Sequence, residues 1–143
     1  MGQKQGTVIR AVLDTNVLVS ALLFSGEMGH IVSSWQARKF LPIFSYDTFD
    51  EFRRVLAYPK FSLTPREIDA LLQDEVFPFF EVVDIEDDII GVCLDRADDK
   101  FLSCAVAATA DFIVSGDKDL LVLGNFRNIP IITAAAFQEE MGK

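Results

Sequence analysis

The stretch VIRAVLDTNVLVSALL, residues 8–23, decides the fold of this chain. Its first part, residues 8–13, is apolar and rich in β-branched side chains apart from Arg10, which is typical of a strand buried on both faces. From residue 16 to residue 24 the apolar side chains recur at helical spacing, so a helix is predicted there. A buried strand therefore runs directly into a buried helix.

Three polar side chains, Asp14, Thr15 and Asn16, stand at the junction of these two segments. A carboxylate at the start of a helix can serve as an N-cap, because it accepts hydrogen bonds from the first backbone amides. It can also belong to a site, because ligands of open α/β sheets bind beyond the carboxyl ends of the strands. The remaining acidic residues decide between these two interpretations.

Strands and helices continue to alternate along the rest of the chain. Further strands are predicted at residues 40–45, 81–85, 112–117 and 129–133, and further helices at 31–38, 46–56, 65–77, 98–108 and from 134. This alternation requires a parallel sheet with helices on both faces. We therefore predict an α/β fold, a three-layer α/β/α sandwich around a mostly parallel sheet of about five strands. Residues 1–143 are expected to form one domain, with residues 1–6 as a flexible N-terminal tail.

Composition limits the classes of function. Hydrophobic residues make up 50% of the 143-residue chain, which is enough for a substantial core. The 22 acidic residues against 13 Lys plus Arg give a net charge of −9, which argues against a general nucleic-acid coat protein but not against an enzyme that gathers acids around metal ions. The two cysteines are too few for a zinc site or a disulfide framework. No apolar run reaches the length of a membrane span and the N-terminus lacks the apolar core of a signal peptide, so we expect a cytoplasmic protein.

Four acidic residues indicate a metal site when they are considered together. Asp14 and Asp117 follow the predicted first and fourth strands, Asp98 opens a helix, and Glu51 borders the apolar stripe of another helix. Each has an ordinary structural explanation when taken alone, as a cap, a turn residue or a surface charge. Carboxylates gathered at one sheet edge would repel one another and raise their pKa values unless cations lay among them. Oxygen ligands without histidine or thiolate favour Mg²⁺ or Mn²⁺, and such a site suits phosphodiester hydrolysis.

Several motif blocks carry a resemblance to a known family: VLDTNVLVSALL, SYDTFDEFRRVLAYPKF, DRADDKFLSCAVAATADFIVSGDKDLL and IPIITAAAF. In order and spacing they resemble the PIN-domain nucleases, and specifically the toxin components of bacterial toxin–antitoxin systems. The resemblance implies a PIN-like fold and a metal-dependent endoribonuclease that uses Mg²⁺ or Mn²⁺. The family's catalytic and metal-binding acids correspond by position to Asp14, Glu51, Asp98 and Asp117. Asp98 fits best as the third acid because it places Leu102 and Ala105 at the family's core positions, and Asp99 is the alternative.

Supporting residues and RNA contacts are expected from the polar and basic residues near these blocks, and the antitoxin and the dimer are implied by the resemblance. Thr15, Asn16, Ser115 and Asp95 are the expected supporting residues, and Arg53, Arg54, Lys60 and Lys118 are the candidates for RNA contact. The expected partners are an RNA substrate in single-stranded or loop form, a cognate antitoxin and a second copy of the chain, with no membrane.

Two other functions compete with this interpretation. One is a non-catalytic PIN-fold module for RNA processing or partner binding, which the presence of all four acids argues against. The other is an acid-and-magnesium phosphatase or receiver-like domain. A phosphatase of that type requires a second acid two positions after its nucleophile, where this chain has Asn16. A receiver requires a phosphoacceptor at the end of the third strand, where VVDIEDD is a poor match.

Overall fold

The structure, a computed structural model, describes residues 8–24, 26 and 28–142. The predicted N-terminal tail, residues 1–6, lies outside the described residues. The strands are β1 (Ile9–Leu13), β2 (Phe40–Phe44), β3 (Glu81–Val82), β4 (Phe112–Val114), β5 (Asn125–Phe126) and β6 (Ile129–Ile132). The α-helices are α1 (Thr15–Leu23), α2 (Gly29–Gln36), α3 (Tyr46–Leu56), α4 (Pro65–Leu71), α5 (Asp99–Ala108), α6 (Lys118–Leu121) and α7 (Ala134–Met141).

The sheet has the order β3-β2-β1-β4-β6-β5, and its pairs are parallel except for β5 and β6. Strand β1 lies in the interior of the sheet, and its Ala11 and Val12 are fully buried, as the apolar run predicts. Leu13 at the end of β1 is in register with Val114 at the end of β4. The residues that follow these two strands therefore emerge side by side at the carboxyl edge of the sheet.

Two hydrophobic cores, one on each face of the sheet, confirm the three-layer α/β/α class. The first contains Leu18, Trp35, Phe52 and Phe137, which belong to α1, α2, α3 and α7. The second contains Val12, Ile43, Phe101, Leu102, Ile113 and Leu120, so α5 and α6 cover the other face. Within the part of the chain that the structure describes, no helix is both long and apolar enough to span a bilayer.

The sheet contains six strands instead of the predicted five or so, because sequence reasoning missed β5. Strand β5 has only two residues, Asn125 and Phe126, and pairs antiparallel with β6. The two-residue turn between them, Arg127–Asn128, has positive φ angles of 48° and 68°, which match a tight hairpin turn. A strand of two residues is too short to show an alternating pattern, so it left no signal.

The third strand is shorter than predicted. Strand β3 spans Glu81–Val82, whereas residues 81–85 were predicted, and an extended loop follows it. Its pairing with β2 begins at Ile43. Pro42 therefore has a strand partner in β1 only, as expected of a proline, which lacks the N–H needed for pairing on both sides.

The candidate metal centre

Asp14 is both the cap of α1 and part of a polar link to the end of β4. Its Oδ1 accepts a hydrogen bond of 2.8 Å from the Val17 amide, and its Oδ2 accepts one from the Ser115 hydroxyl. The Ser115 oxygen in turn accepts a hydrogen bond of 2.9 Å from the Asp117 amide. Burial raises the pKa of Asp14, and the bonds from Ser115 and Val17 partly oppose that effect. One buried serine thus ties two of the predicted acids to each other.

Asp98, Asp117 and Asp119 form the tightest acidic group among the described residues. One carboxylate oxygen from each lies within 4.8 Å of the other two. Asp98 comes from the short 3₁₀ turn Arg96–Asp98 that leads into α5. Asp117 caps α6, where its Oδ1 accepts a hydrogen bond of 2.9 Å from the Asp119 amide. The start of α5 and the start of α6 therefore bring three carboxylates together.

Burial and the neighbouring negative charges raise the pKa of Asp98. Burial, a hydrogen bond to Asp117 and the negative charges of Asp117, Asp95 and Asp119 raise the pKa of Asp98 to about 7. Its Oδ2 is one of two buried side-chain polar atoms in the described structure without a hydrogen-bond partner, and the other is the Thr15 hydroxyl oxygen. A buried carboxylate oxygen without a donor is costly, and a bound cation would satisfy it.

Asp99, the alternative third acid, points to a different set of partners. Its Oδ1 accepts a hydrogen bond of 2.8 Å from the Cys93 amide, and its Oδ2 accepts one of 2.7 Å from the Gly91 amide. Burial alone would raise the pKa of Asp99, but these amide bonds outweigh it and hold the pKa below its ordinary value. Asp99 fastens the loop that precedes the 3₁₀ turn, whereas Asp98 faces Asp117.

Glu51 is half-buried on α3, as its position at the edge of the apolar stripe predicted. Its Oε1 accepts a hydrogen bond of 3.1 Å from the Lys100 ammonium group, and the exposed fractions of the Glu51 and Lys100 side chains are 23% and 20%. Lys100 lies in the first turn of α5, two residues after Asp98. The helix that supplies Asp98 therefore also supplies the cation that neutralises Glu51.

The predicted supporting residues occupy different surroundings. Thr15 is buried in the first turn of α1, and Asn16 beside it is exposed. Asp95 accepts a hydrogen bond of 3.0 Å from the Ala97 amide and so caps the 3₁₀ turn that carries Asp98.

The basic residues fall into two groups. Arg53 and Arg54 line a cavity of about 380 Å³ between α3 and α4, where Arg54 pairs with Asp50 at 3.7 Å. Lys60 lines a second cavity together with Asn16, and Lys118 is exposed immediately after Asp117. Lys60 and Lys118 are thus adjacent to residues of the predicted site, whereas the two arginines face α4.

Sequence reasoning missed two residues of this region, Asp119 and Lys100. Asp119 stands two positions after Asp117, and the short helix α6 that turns its carboxylate toward Asp98 was not predicted. The segment SGDKD did contain a usable signal, since a second acid that follows a strand end at this spacing can point to the same ion. Lys100 lies 49 residues from Glu51 in sequence, so no local pattern reveals that pairing.

The arrangement fits a hard divalent cation. Mg²⁺ holds its oxygen ligands at about 2.1 Å, so two ligands on opposite sides of the ion lie about 4.2 Å apart. The oxygens of Asp98, Asp117 and Asp119 already lie within 4.8 Å of one another, and one oxygen of Asp98 has no protein donor. All three ligands are carboxylates, the chemistry that Mg²⁺ and Mn²⁺ prefer.

Comparisons with known proteins identify the family of the chain. The sequence profile of the PIN domain matches residues 10–119, which is more than half of the 143-residue chain. No curated protein matches the chain at a significant level of sequence similarity.

Solved structures share the fold. VapBC2 from Rickettsia felis was crystallised bound to a DNA fragment from its promoter. Its structure is similar to this chain with a TM-score of 0.59 and 16% identity, over 87% of this chain and 98% of that one. FitAcB from Neisseria gonorrhoeae is similar with a TM-score of 0.58 and 14% identity, over 85% of this chain and 96% of that one. At such identities the likeness establishes the fold alone.

Proposed function

The chain belongs to the PIN domain family, and from this premise we propose that it is a metal-dependent endoribonuclease and the toxin of a toxin–antitoxin pair. Members of this family are typically nucleases that use divalent metal ions. The proposed reaction is hydrolysis of RNA phosphodiester bonds with Mg²⁺ or Mn²⁺ at the acidic group. The proposed site consists of Asp14, Glu51, Asp98 and Asp117, the acids that match the family's motifs, with Asp119 added.

The approach of Asp98, Asp117 and Asp119 carries this proposal. Three carboxylates within 4.8 Å of one another, with the pKa of Asp98 raised to about 7, are unfavourable for a protein that keeps them only for stability. The same arrangement is favourable for binding a divalent cation. Clusters of perturbed acids are typical of functional sites.

When bound, the ion supplies activation of a water molecule and neutralisation of the charge that develops on the phosphodiester. Ser115 orients Asp14 and the Asp117 backbone at the same time, so it keeps two acids at a fixed separation. Lys100 neutralises Glu51 without occupying the three-aspartate group. Lys60 and Lys118, both exposed, would hold substrate phosphates on either side of the cleaved bond, with Arg53 and Arg54 as outer contacts.

The proposed substrate is RNA in single-stranded or loop form. A chain of net charge −9 repels a polyanion except where cations are concentrated, so we expect RNA to bind at the nearby lysines and to be cleaved where the metal is bound. A flexible strand can bend toward such a restricted site, whereas a duplex presents a rigid surface. We further propose a cognate antitoxin and a homodimer as partners and the cytoplasm as location, all of which rest on the resemblance of the motif blocks to toxin components.

Cleavage of a labelled single-stranded RNA by the purified protein tests the nuclease proposal. We expect cleavage with Mn²⁺ or Mg²⁺ and none in EDTA. Asp117→Asn should lower the rate at least about a hundredfold because it removes a metal ligand. Asp84→Asn is the matched control, since Asp84 is an exposed acid in the loop after β3. Full activity of Asp117→Asn, or cleavage that resists EDTA, would contradict the proposed site.

Expression in a bacterial host tests the toxin proposal separately. The wild-type chain should arrest growth, and Asp117→Asn should not. Co-expression of the protein encoded by the adjacent reading frame should restore growth and yield a complex that copurifies. Growth arrest that persists equally with Asp117→Asn would assign the toxicity to something other than the acidic group.

A further inference from the structure

The cavity beside the start of α1 has the chemistry of a nucleobase site. It measures about 370 Å³ and is lined by Asn16, Val19, Ser20, Phe24, Lys60 and Phe61. From these contacts we propose that it binds one unpaired base of the RNA, next to the bond that is cleaved. The proposal rests on the proposed function, which supplies the RNA substrate.

The cavity lies close to Asp14, which Ser115 links to the Asp117 backbone. Asn16 lines it and stands only two residues after Asp14, so the two residues lie within about 7 Å along the backbone. Asn16 and Ser20 are four positions apart on α1 and therefore share one face of the helix. Adjacent nucleotides of an extended strand are separated by a similar distance, so a nucleotide next to the cleaved bond can reach this face.

Aromatic side chains supply the stacking surface. Phe24 has an exposed fraction of 56%, unusually high for a phenylalanine, and it faces the cavity rather than the core. Phe61 lies in the 3₁₀ turn Pro59–Phe61, and the Lys60 ammonium group sits 5.1 Å from the centre of its ring. Proteins that bind single-stranded RNA combine these two elements, aromatic rings for the bases and a cation for the phosphates.

The described residues that line this cavity give it a positive charge. They include one lysine and no acid, although the chain carries a net charge of −9. The cavity of Arg53 and Arg54 contains Asp50 and Asp69, which offset its positive charge. The side-chain amide of Asn16 and the hydroxyl of Ser20 add the hydrogen-bonding groups that can read a base edge. Together with the aromatic rings and the lysine, these groups fit a base attached to a phosphate.

Binding can be measured separately from cleavage. Fluorescence anisotropy in EDTA would follow a labelled single-stranded RNA in which each nucleotide is replaced in turn by an abasic ribose. We expect one position at which the loss of the base weakens binding about tenfold, which is the effect of losing one base–aromatic stack. Phe24→Leu should weaken binding of the intact RNA by a similar factor, and Phe24→Trp, which keeps an aromatic ring, should not.

Phe77→Leu is the matched control, because Phe77 is another exposed phenylalanine, with an exposed fraction of 46%, and contacts Phe49 instead. At the sensitive position the abasic RNA and Phe24→Leu should not add, since both remove the same stack. The melting temperatures of the Phe24→Leu and Phe77→Leu variants should stay close to that of the wild type.

The outcomes separate the two proposals. The base site would be overturned if the losses of RNA binding were additive at every nucleotide position, or if Phe24→Leu bound RNA as tightly as the wild type. Either result would do so even if the protein cleaves RNA with metal. Conversely, base-dependent binding without any metal-dependent cleavage would keep the base site and overturn the nuclease. Equal losses for Phe24→Leu and Phe77→Leu would also overturn the base site, because they would show a general effect of removing exposed aromatic area.

Discussion

Replacing Asp98 by asparagine in the metal-free protein should make the protein more stable, although the change removes a proposed metal ligand. The Asp98 carboxylate is buried beside Asp117 and Asp119, and one of its oxygens has no donor. Asparagine has nearly the same shape but no charge, and its amide can donate a hydrogen bond to Asp117. The substitution thus removes a repulsion that the folded, metal-free protein must otherwise tolerate.

The magnitude follows from the pKa of Asp98, which is raised from 3.8 to about 7. The folded pKa lies above the unfolded one, so the unfolded chain releases its proton first as the pH rises. The free energy of unfolding therefore falls between about pH 4 and about pH 7 and remains lowered above that range, at about 1.4 kcal/mol per pH unit. Since part of the raised pKa of Asp98 comes from its hydrogen bond to Asp117, which the asparagine amide can also make, we expect Asp98→Asn to recover about 1–3 kcal/mol at about pH 8, or about 4–10 °C in melting temperature.

Thermal unfolding in EDTA between about pH 5.5 and about pH 8 measures this effect. The difference between Asp98→Asn and the wild type should grow as the pH rises and level off above about pH 7. Asp84→Asn, at an exposed position in the loop after β3, is the control and should show no such trend. With millimolar Mn²⁺ the wild type should gain stability and Asp98→Asn should not. A variant less stable than the wild type throughout the range would refute the reasoning, because the carboxylate would then be favourable without metal.

Three further predictions concern the surroundings of the site. Lys100→Met should lower the free energy of unfolding of the metal-free protein by about 1–3 kcal/mol, because it leaves the half-buried carboxylate of Glu51 unpaired. Urea denaturation in EDTA measures this effect, and an unchanged midpoint would show that the ion pair contributes nothing. Charge reversal of Arg53 and Arg54 together should depress RNA cleavage and leave stabilisation by Mn²⁺ intact, and cleavage at the full rate would place RNA contact elsewhere. Cys93 and Cys104 should resist iodoacetamide at about pH 8 until the protein unfolds, because burial raises their pKa values to about 12 and about 11. Rapid labelling of the native protein, detected by mass spectrometry, would contradict this prediction.

The sequence predicted those parts of the fold in which a pattern extends over several residues. The apolar run of β1 and the helical spacing of α1 each extend over at least five residues, so their periodicity was visible. The helices predicted at 46–56 and 65–77 follow Ser45 and Thr64, residue types that favour helix starts, and both side chains accept backbone hydrogen bonds as N-caps. The elements β5 and α6, with two and four residues, were missed because such short segments are defined by their partners in the fold.

The acids of the candidate site also differ in how far their positions could be predicted from the sequence. Asp14 and Asp117 could be placed at one sheet edge because parallel neighbouring strands end together, and the hydrogen bonds through Ser115 agree with that placement. The choice between Asp98 and Asp99 could not be made from the sequence, since both open the same helix. Their difference depends on the amides of a loop that folds back on Asp99. Such a contact depends on the path of the loop and leaves no periodic signal.

The way in which the acids are satisfied distinguishes one point of the structure more sharply than their number does. Asp14 has donors in Ser115 and Val17, Asp99 has two backbone amides, and Glu51 has Lys100. Each of these carboxylates is neutralised or hydrogen-bonded by the protein itself. The remaining three, Asp98, Asp117 and Asp119, face one another. Asp98 is hydrogen-bonded to Asp117, and Asp117 accepts a hydrogen bond from the Asp119 amide. A protein that satisfies its other buried acids this completely has left one point where negative charge is uncompensated, and a divalent cation is the partner that this point lacks.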